Sequence, residues 1–324
     1  MGQVINKLVS KAEQILSNFT KREREALDEY YRQLFKSGRS SMSRTIAFVG
    51  DMHVGSRYAV TAKQFKQNDD QLKITDWWVH CSEELGHINR LHINGEPIDG
   101  SNVKQAGDGV DANLNMQMEN AAELIKMIHA DKITLTRGSG YHTQINGMNL
   151  DETFARMVGA EKCNQWFDVD TQTYRGDNGQ YIIAERGTTL TSFFCNIDVN
   201  GRLFNITHHL GFNRWFAYRT TSLAREMADM EFQRGKYYPA DRNLDFIVRS
   251  HVHYFVEVGY TTQHGFTTPA WKFPDQHLFR GGLGGTYPTI GMIVVTVEQN
   301  GEYSIKKLIA PTDMLPSPTI LYTP

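Results

Sequence analysis

The sequence predicts an α/β fold, in which helices pack against β-sheets. Two observations lead to this prediction. Short apolar runs of strand length alternate with stretches of helical periodicity between residues 44 and 250, as in layered α/β domains. The strand-rich part that follows residue 181 also contains Asn200-Gly201 between alternating apolar residues, which is a strong hairpin signal.

The predicted strands of the alternating part are short and apolar. Stretches whose apolar residues recur at helical spacing separate them. The strands span residues 45–50, 91–94, 132–137, 203–208 and 244–250, and helices are predicted around 75–90, 111–130, 149–158 and 220–234. Further strands are predicted at 181–185, 191–199, 202–207, 254–261, 291–298 and 303–309.

The first forty residues precede this pattern and are predicted to form helices. Apolar side chains recur at helical spacing from Ile5 to Leu16, and the capping-box sequence at 20–23 predicts the start of a second helix. The charged stretch that follows is typical of a solvated face, and an arm for self-association is the alternative. The chain therefore divides into an N-terminal helical extension (1–40), a main domain (44–312) and a C-terminal tail (313–324).

The composition is that of a globular protein. Hydrophobic residues make up 40% of the 324 residues, charged residues make up 22%, and the formal net charge is −2. A nearly neutral chain has no bulk attraction for nucleic acid, although a local basic groove is compatible with it. Three cysteines without C-x-x-C spacing favour a reducing, cytoplasmic location. No apolar run approaches the length of a membrane span, so no membrane partner is expected.

Polar residues able to bind metal follow each of the five apolar runs at once. Because the ligand site of an α/β sheet lies beyond the carboxyl ends of its strands, these residues are expected to meet. They are Asp51 and His53, Glu96 and Asp99, His142, His208 and His209, and His251 and His253.

The residue types indicate a metal site. Mixtures of imidazole and carboxylate suit Zn, Mn, Fe or Ni. A single His or Asp after a strand is more often a hydrogen-bonded residue or a turn former than a ligand. The five-fold recurrence favours metal binding over that simpler explanation.

The order of the motifs resembles that of the calcineurin-like metallophosphoesterases, most of all their bacteriophage-encoded branch. That family carries, in sequence, Asp-x-His, Gly-Asp-x-x-Asp, Gly-Asn-His-Asp/Glu, a lone His and Gly-His-x-His. The corresponding stretches here read GDMHVG, GEPIDG, GSGYHT, THH and SHVH, within a resemblance that spans residues 45–310. The resemblance implies a four-layer α/β/β/α sandwich, with the N-terminal helices outside it.

The resemblance also implies two divalent metal ions that share one ligand. The family pattern assigns Asp51, His53 and His253 to metal one, and His208 and His251 to metal two. Glu96 stands where the family has its bridging Asp, and its side chain is one methylene longer. Mn, Ni, Fe, Zn and Mg are all candidates for the ions.

The third motif carries both the implied proton donor and a departure from the family. His142 matches the family's catalytic His, and Asp99 matches the Asp that orients this His in one branch. The family's Asn, a ligand of metal two, has no counterpart: Ser139 or Tyr141 occupies its place, depending on the alignment. Thr143 replaces an acidic residue. The second metal site is therefore expected to be the weaker one.

The implied function is metal-dependent hydrolysis of a phosphoester. A metal-bound hydroxide would attack phosphorus, and His142 would protonate the leaving oxygen. A phosphodiesterase or nuclease, acting on nucleic acid or a nucleotide, is the first choice. The alternatives are a phosphomonoesterase acting on proteins or nucleotides, and a non-catalytic scaffold of the same fold that binds proteins. Bacteriophage origin would place the protein in the host cytoplasm, and the N-terminal helices are candidates for homo-oligomer contacts.

Overall fold

The chain divides into two units, Met1–Ser43 and Arg44–Pro324. The computed structural model describes residues 43–101, 108–109, 111–145, 148–163, 171–175, 181–185, 190–232, 243–275 and 288–314. The predicted N-terminal helices, residues 1–40, and residues 315–324 of the predicted tail lie outside the described residues. Both therefore stay predictions.

Fourteen strands are described within these ranges. They are β1 Arg44–Val49, β2 His87–Asn94, β3 His129–Thr136, β4 Gln144–Ile145, β5 Met148–Asn149, β6 Thr171–Arg175, β7 Tyr181–Glu185, β8 Cys195–Val199, β9 Arg202–Ile206, β10 Phe246–Arg249, β11 Glu257–Gly259, β12 His264–Thr267, β13 Gly291–Val297 and β14 Tyr303–Ile309. Ten of them form two five-stranded sheets, ordered β14-β13-β1-β2-β3 and β11-β12-β10-β9-β8. Strands β1, β2 and β3 run parallel in the first sheet, and β9, β10 and β12 run parallel in the second. The remaining strands form two small hairpins.

The helices of the described ranges connect these strands. They are α1 Asp69–Leu85, α2 Leu114–Lys126, α3 Gly140–Thr143, α4 Leu150–Met157 and α5 Arg219–Phe232. Short 3₁₀ turns span Phe216–Tyr218 and Thr312–Met314. No helix among the described residues combines the length and apolar character needed to cross a membrane.

Helix α1 begins six residues before the predicted start at residue 75. Asn68 caps it: its side chain accepts a hydrogen bond from the Gln71 amide at 2.8 Å, and the Gln71 side chain accepts one from the Asn68 amide at 3.2 Å. The first turn contains Asp69 and Asp70, which suit the positive end of the helix. Because that turn is acidic and not apolar, the hydrophobic pattern did not include it.

Three hydrophobic clusters join four successive layers. Alternate residues of a strand face opposite sides of a sheet, so Ala47 and Val49 of β1 pack under helices α1, α2 and α4, while Ile46 and Phe48 pack between the two sheets. A third cluster, which includes Leu223, joins helix α5 to the second sheet. The predicted α/β/β/α sandwich is therefore confirmed.

Two local predictions have different outcomes. The hairpin at Asn200-Gly201 is confirmed, because both residues have positive φ angles, 48° and 88°, between strands β8 and β9. None of the predicted helices covers the stretch after β3, and the structure has the short helix α3 there. This helix carries His142.

Phe204 lies at the centre of the core between the sheets. It is fully buried, and its ring stacks on Phe246 with centroids 4.3 Å apart. Phe204→Ala should lower the free energy of unfolding by about 3–5 kcal/mol, measured in urea, because it leaves a cavity. Phe232→Ala is the control: that side chain is 89% exposed, and its removal should change stability by less than about 0.5 kcal/mol. Equal losses for the two variants would contradict the layered core.

Candidate metal centre

The carboxyl ends of the strands bring together every residue that the sequence predicts as a metal ligand. Three groups form among the described residues, and within each group the candidate ligand atoms lie within 4.8 Å of one another. One of them is His53, Asp99 and His142, and the other two contain the predicted ligands. The first group is Asp51, His53, Glu96 and His253, and the second is Glu96, His208 and His251. These groups have the membership that the family pattern assigned to metal one and metal two. Metal binding by them stays a prediction.

Five of the six residues have an uncommon backbone conformation. The φ angles of Asp51, His53, Glu96, His251 and His253 lie between 46° and 72°. Left-handed backbone costs about 1–2 kcal/mol per non-glycine residue and tends to occur where function over-determines a side chain's direction. Among the described residues, the one other non-glycine position with such an angle is in the β8–β9 turn. The strand-end loops are therefore built to direct these side chains.

The carboxylate of Glu96 joins the two groups. Its Oε2 lies 3.0 Å from His53 Nε2, and its Oε1 lies 3.2 Å from His208 Nε2. The side chain is 1% exposed. Each oxygen therefore faces a different half of the site, which is the geometry required of a bridging carboxylate. The longer Glu side chain reaches both halves.

The loop after β3 closes against the same carboxylate. The Ser139 amide donates to Glu96 Oε1 at 3.2 Å, and the Ser139 hydroxyl donates to the same oxygen. A Cβ at Gly138 would lie 2.6 Å from Glu96 Cγ, so only glycine allows this close approach. Of the two candidates for the place of the missing Asn, Ser139 thus lies at the second group. The side chain of Tyr141 is outside the described part of the structure.

Two histidines are held so that one ring nitrogen is directed into the site. His208 Nδ1 lies 2.8 Å from the Asn94 carbonyl oxygen, to which it can only donate. His53 Nδ1 lies 3.2 Å from Asp99 Oδ1. Hydrogen bonds of this kind fix the tautomer and orientation of metal-binding histidines and leave Nε2 for the metal.

His142 contacts Asp99 in a different way from the one that the sequence predicts. Its Nδ1 lies 2.7 Å from the main-chain carbonyl oxygen of Asp99, and 3.9 Å from the carboxylate. The carboxylate of Asp99 is instead directed at His53. Asp99 therefore orients His142 through its backbone, and an Asp99→Asn change leaves that contact in place. The ring centroids of His53 and His142 are 4.7 Å apart, so His142 lies beside the first group.

Lys272 is a buried part of the site that sequence reasoning missed. Its Nζ lies 3.5 Å from Asp99 Oδ1 and 2.8 Å from Asp275 Oδ2, and its side chain is 3% exposed. Burial alone lowers the pKa of a lysine, but the two carboxylates outweigh that effect and raise the pKa of Lys272. The charged amine of Lys272 thus holds the Asp99 carboxylate in the position where it contacts His53. No local motif marks a lysine in the stretch WKFPD, and its role depends on the folded contacts.

The ionisable side chains of the site favour the binding of a metal cation. Burial and Lys272 lower the pKa of His53, but Glu96 and Asp99 outweigh them and raise it to about 9. Burial also lowers the pKa of His208, but the charge of Glu96 and that of Asp51 raise it to about 9. Burial raises the pKa of Glu96, yet the two histidines hold it well below its usual range. Burial lowers the pKa of His251 to about 4, so this imidazole is neutral at pH 7.

Unsatisfied polar atoms support the fit of a metal to these residues. Asp51 Oδ1 and His251 Nδ1 are buried and make no hydrogen bond within the described part of the chain, and the one close partner of His208 Nε2 there is the Glu96 carboxylate at 3.2 Å. Such atoms are costly to bury without a partner. His53 Nε2 and His253 Nε2 also lie 3.1 Å apart, so that at most one proton can lie between them. One cation in each group would provide these atoms with a partner.

The sequence matches no protein-family model and no curated protein. Solved structures with a similar course of the chain include vacuolar protein sorting 29 of Cryptosporidium parvum, with 12% identity over 82% of this chain and 96% of that one, at a TM-score of 0.35. A predicted phosphoesterase of Streptococcus pneumoniae has 10% identity over 83% and 99% of the chains, at a TM-score of 0.31. An archaeal phosphodiesterase has 12% identity over 81% and 99%, at a TM-score of 0.36. Because each TM-score lies below 0.5, the function of this chain has to be inferred from its own residues.

Metal binding should release protons. In the metal-free protein His53 and His208 are protonated below pH 9, and a cation must displace both protons. The affinity for Mn²⁺ should therefore rise as the pH increases from 6.5 to 9, with about two protons released when both groups fill at pH 7. Calorimetry in buffers of different ionisation enthalpy measures this number. An affinity independent of pH over that range would contradict the charge arrangement.

The stability of the metal-free protein should change over the same pH range. A histidine whose pKa is raised from 6.5 to about 9 contributes stability fully below pH 6.5, and this contribution is lost as the pH rises through 9. Urea unfolding in the presence of a chelator should show falling stability from pH 6.5 to 9. Constant or rising stability would show that the histidine–carboxylate pairs do not hold the metal-free site together.

Proposed function

We propose that this chain is a metal-dependent phosphoester hydrolase, with phosphodiesterase or nuclease activity as the first choice. The observation that carries the proposal is the buried Glu96 carboxylate, which presents one oxygen to each of two groups of metal-binding side chains. The two groups would hold two divalent cations, which would supply positive charge for the displacement of a phosphoester.

The residues of the first group would hold one cation through Asp51, His53 and His253, with Glu96 shared. The second group supplies His208 and His251 besides Glu96. When bound, the cations would supply an activated water and positive charge against the phosphoryl oxygens. The second group has fewer protein ligands, and its Ser139 donates to Glu96 where the family has an amide oxygen for the metal. Because one ligand is missing, the second group should bind metal about 10- to 100-fold more weakly than the first.

His142 is the proposed proton donor. Its Nδ1 donates to the Asp99 carbonyl oxygen, and the proposal assigns the exchange of a proton with a leaving oxygen to Nε2. Burial lowers the pKa of His142, and the neighbouring Glu96 only partly offsets this. A donor with a lowered pKa gives up its proton readily but carries it in a smaller fraction of molecules at pH 7.

A non-catalytic protein-binding scaffold is the second candidate, and the third motif is the observation that favours it. Thr143 stands where the family has an acidic residue, and its hydroxyl donates to the Ser139 carbonyl oxygen at 3.1 Å, within its own loop. A scaffold would have no need of charged residues aimed at a cation. Metal content separates the two candidates.

The test of the proposed function is a metal and substrate screen on the full chain. Wild-type protein and His251→Ala are assayed with Mn, Ni, Mg and Zn on nitrophenyl monoesters, on a bis(nitrophenyl) diester and on oligonucleotides. We expect wild type to bind metal and hydrolyse the diester, and His251→Ala to lose the metal of the second group together with the activity. Faster hydrolysis of the monoester would support the phosphomonoesterase alternative. Wild type without bound metal and without activity would overturn the enzyme proposal.

His142→Ala should slow the enzyme in a way that depends on the leaving group. A poor leaving group such as an alkoxide needs the proton in the transition state, and a nitrophenolate hardly needs it. The loss should be about 10²- to 10⁴-fold on a nucleotide ester, and clearly less on the nitrophenyl ester, with metal content unchanged. His129→Ala, an exposed histidine at the start of β3, is the control and should change neither rate.

Equal losses on both substrates, with metal intact, would contradict proton donation and would mean that His142 stabilises charge on the phosphoryl group. Asp99→Asn has a separate expected effect. Because the Asp99 carboxylate contacts His53 and Lys272 while its carbonyl holds His142, this variant should weaken metal binding without producing the leaving-group pattern.

A further inference from the structure

An exposed aromatic segment follows the second group of candidate ligands. Residues 212–219, which read FNRWFAYR, are here called the aromatic loop. Trp215 is 62% exposed, Phe216 is 82% exposed and Tyr218 is 58% exposed. Single exposed apolar side chains are common on protein surfaces, but a contiguous group of aromatic rings marks an interaction site.

The aromatic loop is fixed against the candidate metal centre. It starts four residues after His208, and the Asn213 amide donates to the hydroxyl of Tyr254, the neighbour of His253, at 3.3 Å. The ring of Phe212 lies 5.9 Å from that of Tyr254. Both the chain preceding the loop and the residue that anchors it therefore belong to the strand ends that form the site.

Internal hydrogen bonds give the aromatic loop a defined shape. The side chain of Asn213 accepts from the Trp215 amide at 3.0 Å and donates to the Tyr218 carbonyl oxygen at 3.2 Å. The backbone that carries the exposed rings is thus fixed before any partner binds, which reduces the entropy lost on binding.

The charge of the loop is positive although the whole chain has a net charge of −2. Between residues 208 and 224 the sequence contains Arg214 and Arg219 and no Asp or Glu. The guanidinium carbon of Arg214 lies 5.1 Å from the centre of the Trp215 ring, and that of Arg219 lies 5.2 Å from the centre of the Phe216 ring. Arginines paired with exposed aromatic rings combine a charge for phosphate with a surface on which bases stack.

We infer that the aromatic loop binds the unpaired bases of a single-stranded nucleic acid whose backbone enters the metal centre. This inference rests on the proposed function and specifies its substrate class. Base stacking on exposed rings needs bases that are not already stacked in a duplex. A protein partner would also cover apolar rings, but the absence of Asp and Glu from residues 208–224 and the neighbouring candidate metal centre favour a polyanion.

The inference is tested by fluorescence anisotropy with labelled oligonucleotides and full-length protein in the presence of a chelator, so that no hydrolysis occurs. The probes are a short oligothymidylate, an abasic oligonucleotide of the same length and a duplex. Trp215→Ala with Phe216→Ala should weaken oligothymidylate binding by about 5- to 150-fold, the range expected for lost stacking. Binding of the abasic strand, which has phosphates and no bases, should be nearly unchanged.

The matched control is Phe232→Ala. Phe232 is also exposed, at 89%, but lies at the far end of helix α5, about 20 Å from Arg219 at 1.5 Å per residue. This variant should bind all three probes like wild type. Arg214→Gln should weaken the binding of the oligothymidylate and of the abasic strand alike, because it removes a positive charge.

Several results would overturn the inference. Unchanged oligothymidylate binding by the double variant would do so, as would equal losses for the oligothymidylate and the abasic strand. A double variant that changes oligomeric state or melting temperature and leaves binding intact would mean that the loop packs on protein, either a second copy or another segment of this chain. Failure of the proposed function gives a different result: wild-type protein would then hydrolyse no ester in the metal and substrate screen.

Discussion

The position of the Glu96 carboxylate is the constraint on which the rest of the site depends. A buried carboxylate is costly unless it is paired, and this one has a histidine against each oxygen and a serine hydroxyl and amide on one of them. The loop after β3 can reach it only because Gly138 has no Cβ. Without this carboxylate, the two groups of candidate ligands would share no residue.

The two sheets contribute different halves of this arrangement. The first sheet supplies Asp51, His53 and Glu96 from the ends of neighbouring parallel strands, and the second supplies the remaining histidines. The core between the sheets, centred on Phe48, Phe204 and Phe246, sets the separation of the two sets of strand ends. The energy gained in that core and in the helix-covered faces offsets the strained backbone at the ligands. Stability and the candidate chemistry are thus coupled through the same strands.

Much of the site could be predicted because its residues share one position relative to the strands. Asp-x-His and His-x-His at strand ends are visible in the sequence, and so is the repeated placement of His or carboxylate after five apolar runs. The contacts that hold these residues could not be predicted. Asn94 and Asp99 act through carbonyl oxygens, which every residue type possesses, and Lys272 comes from a loop without a motif. The fold class followed from alternation, while the start of α1 was missed because its first turn is polar.

The measurement that tests the central claim most directly is anomalous diffraction from crystals of the full chain grown with Mn²⁺. Two peaks are expected, one on each side of the Glu96 carboxylate. The stronger peak should lie among Asp51, His53 and His253, and the weaker one between His208 and His251. Absence of both peaks, or manganese bound elsewhere with Glu96 still paired to its histidines, would contradict the account.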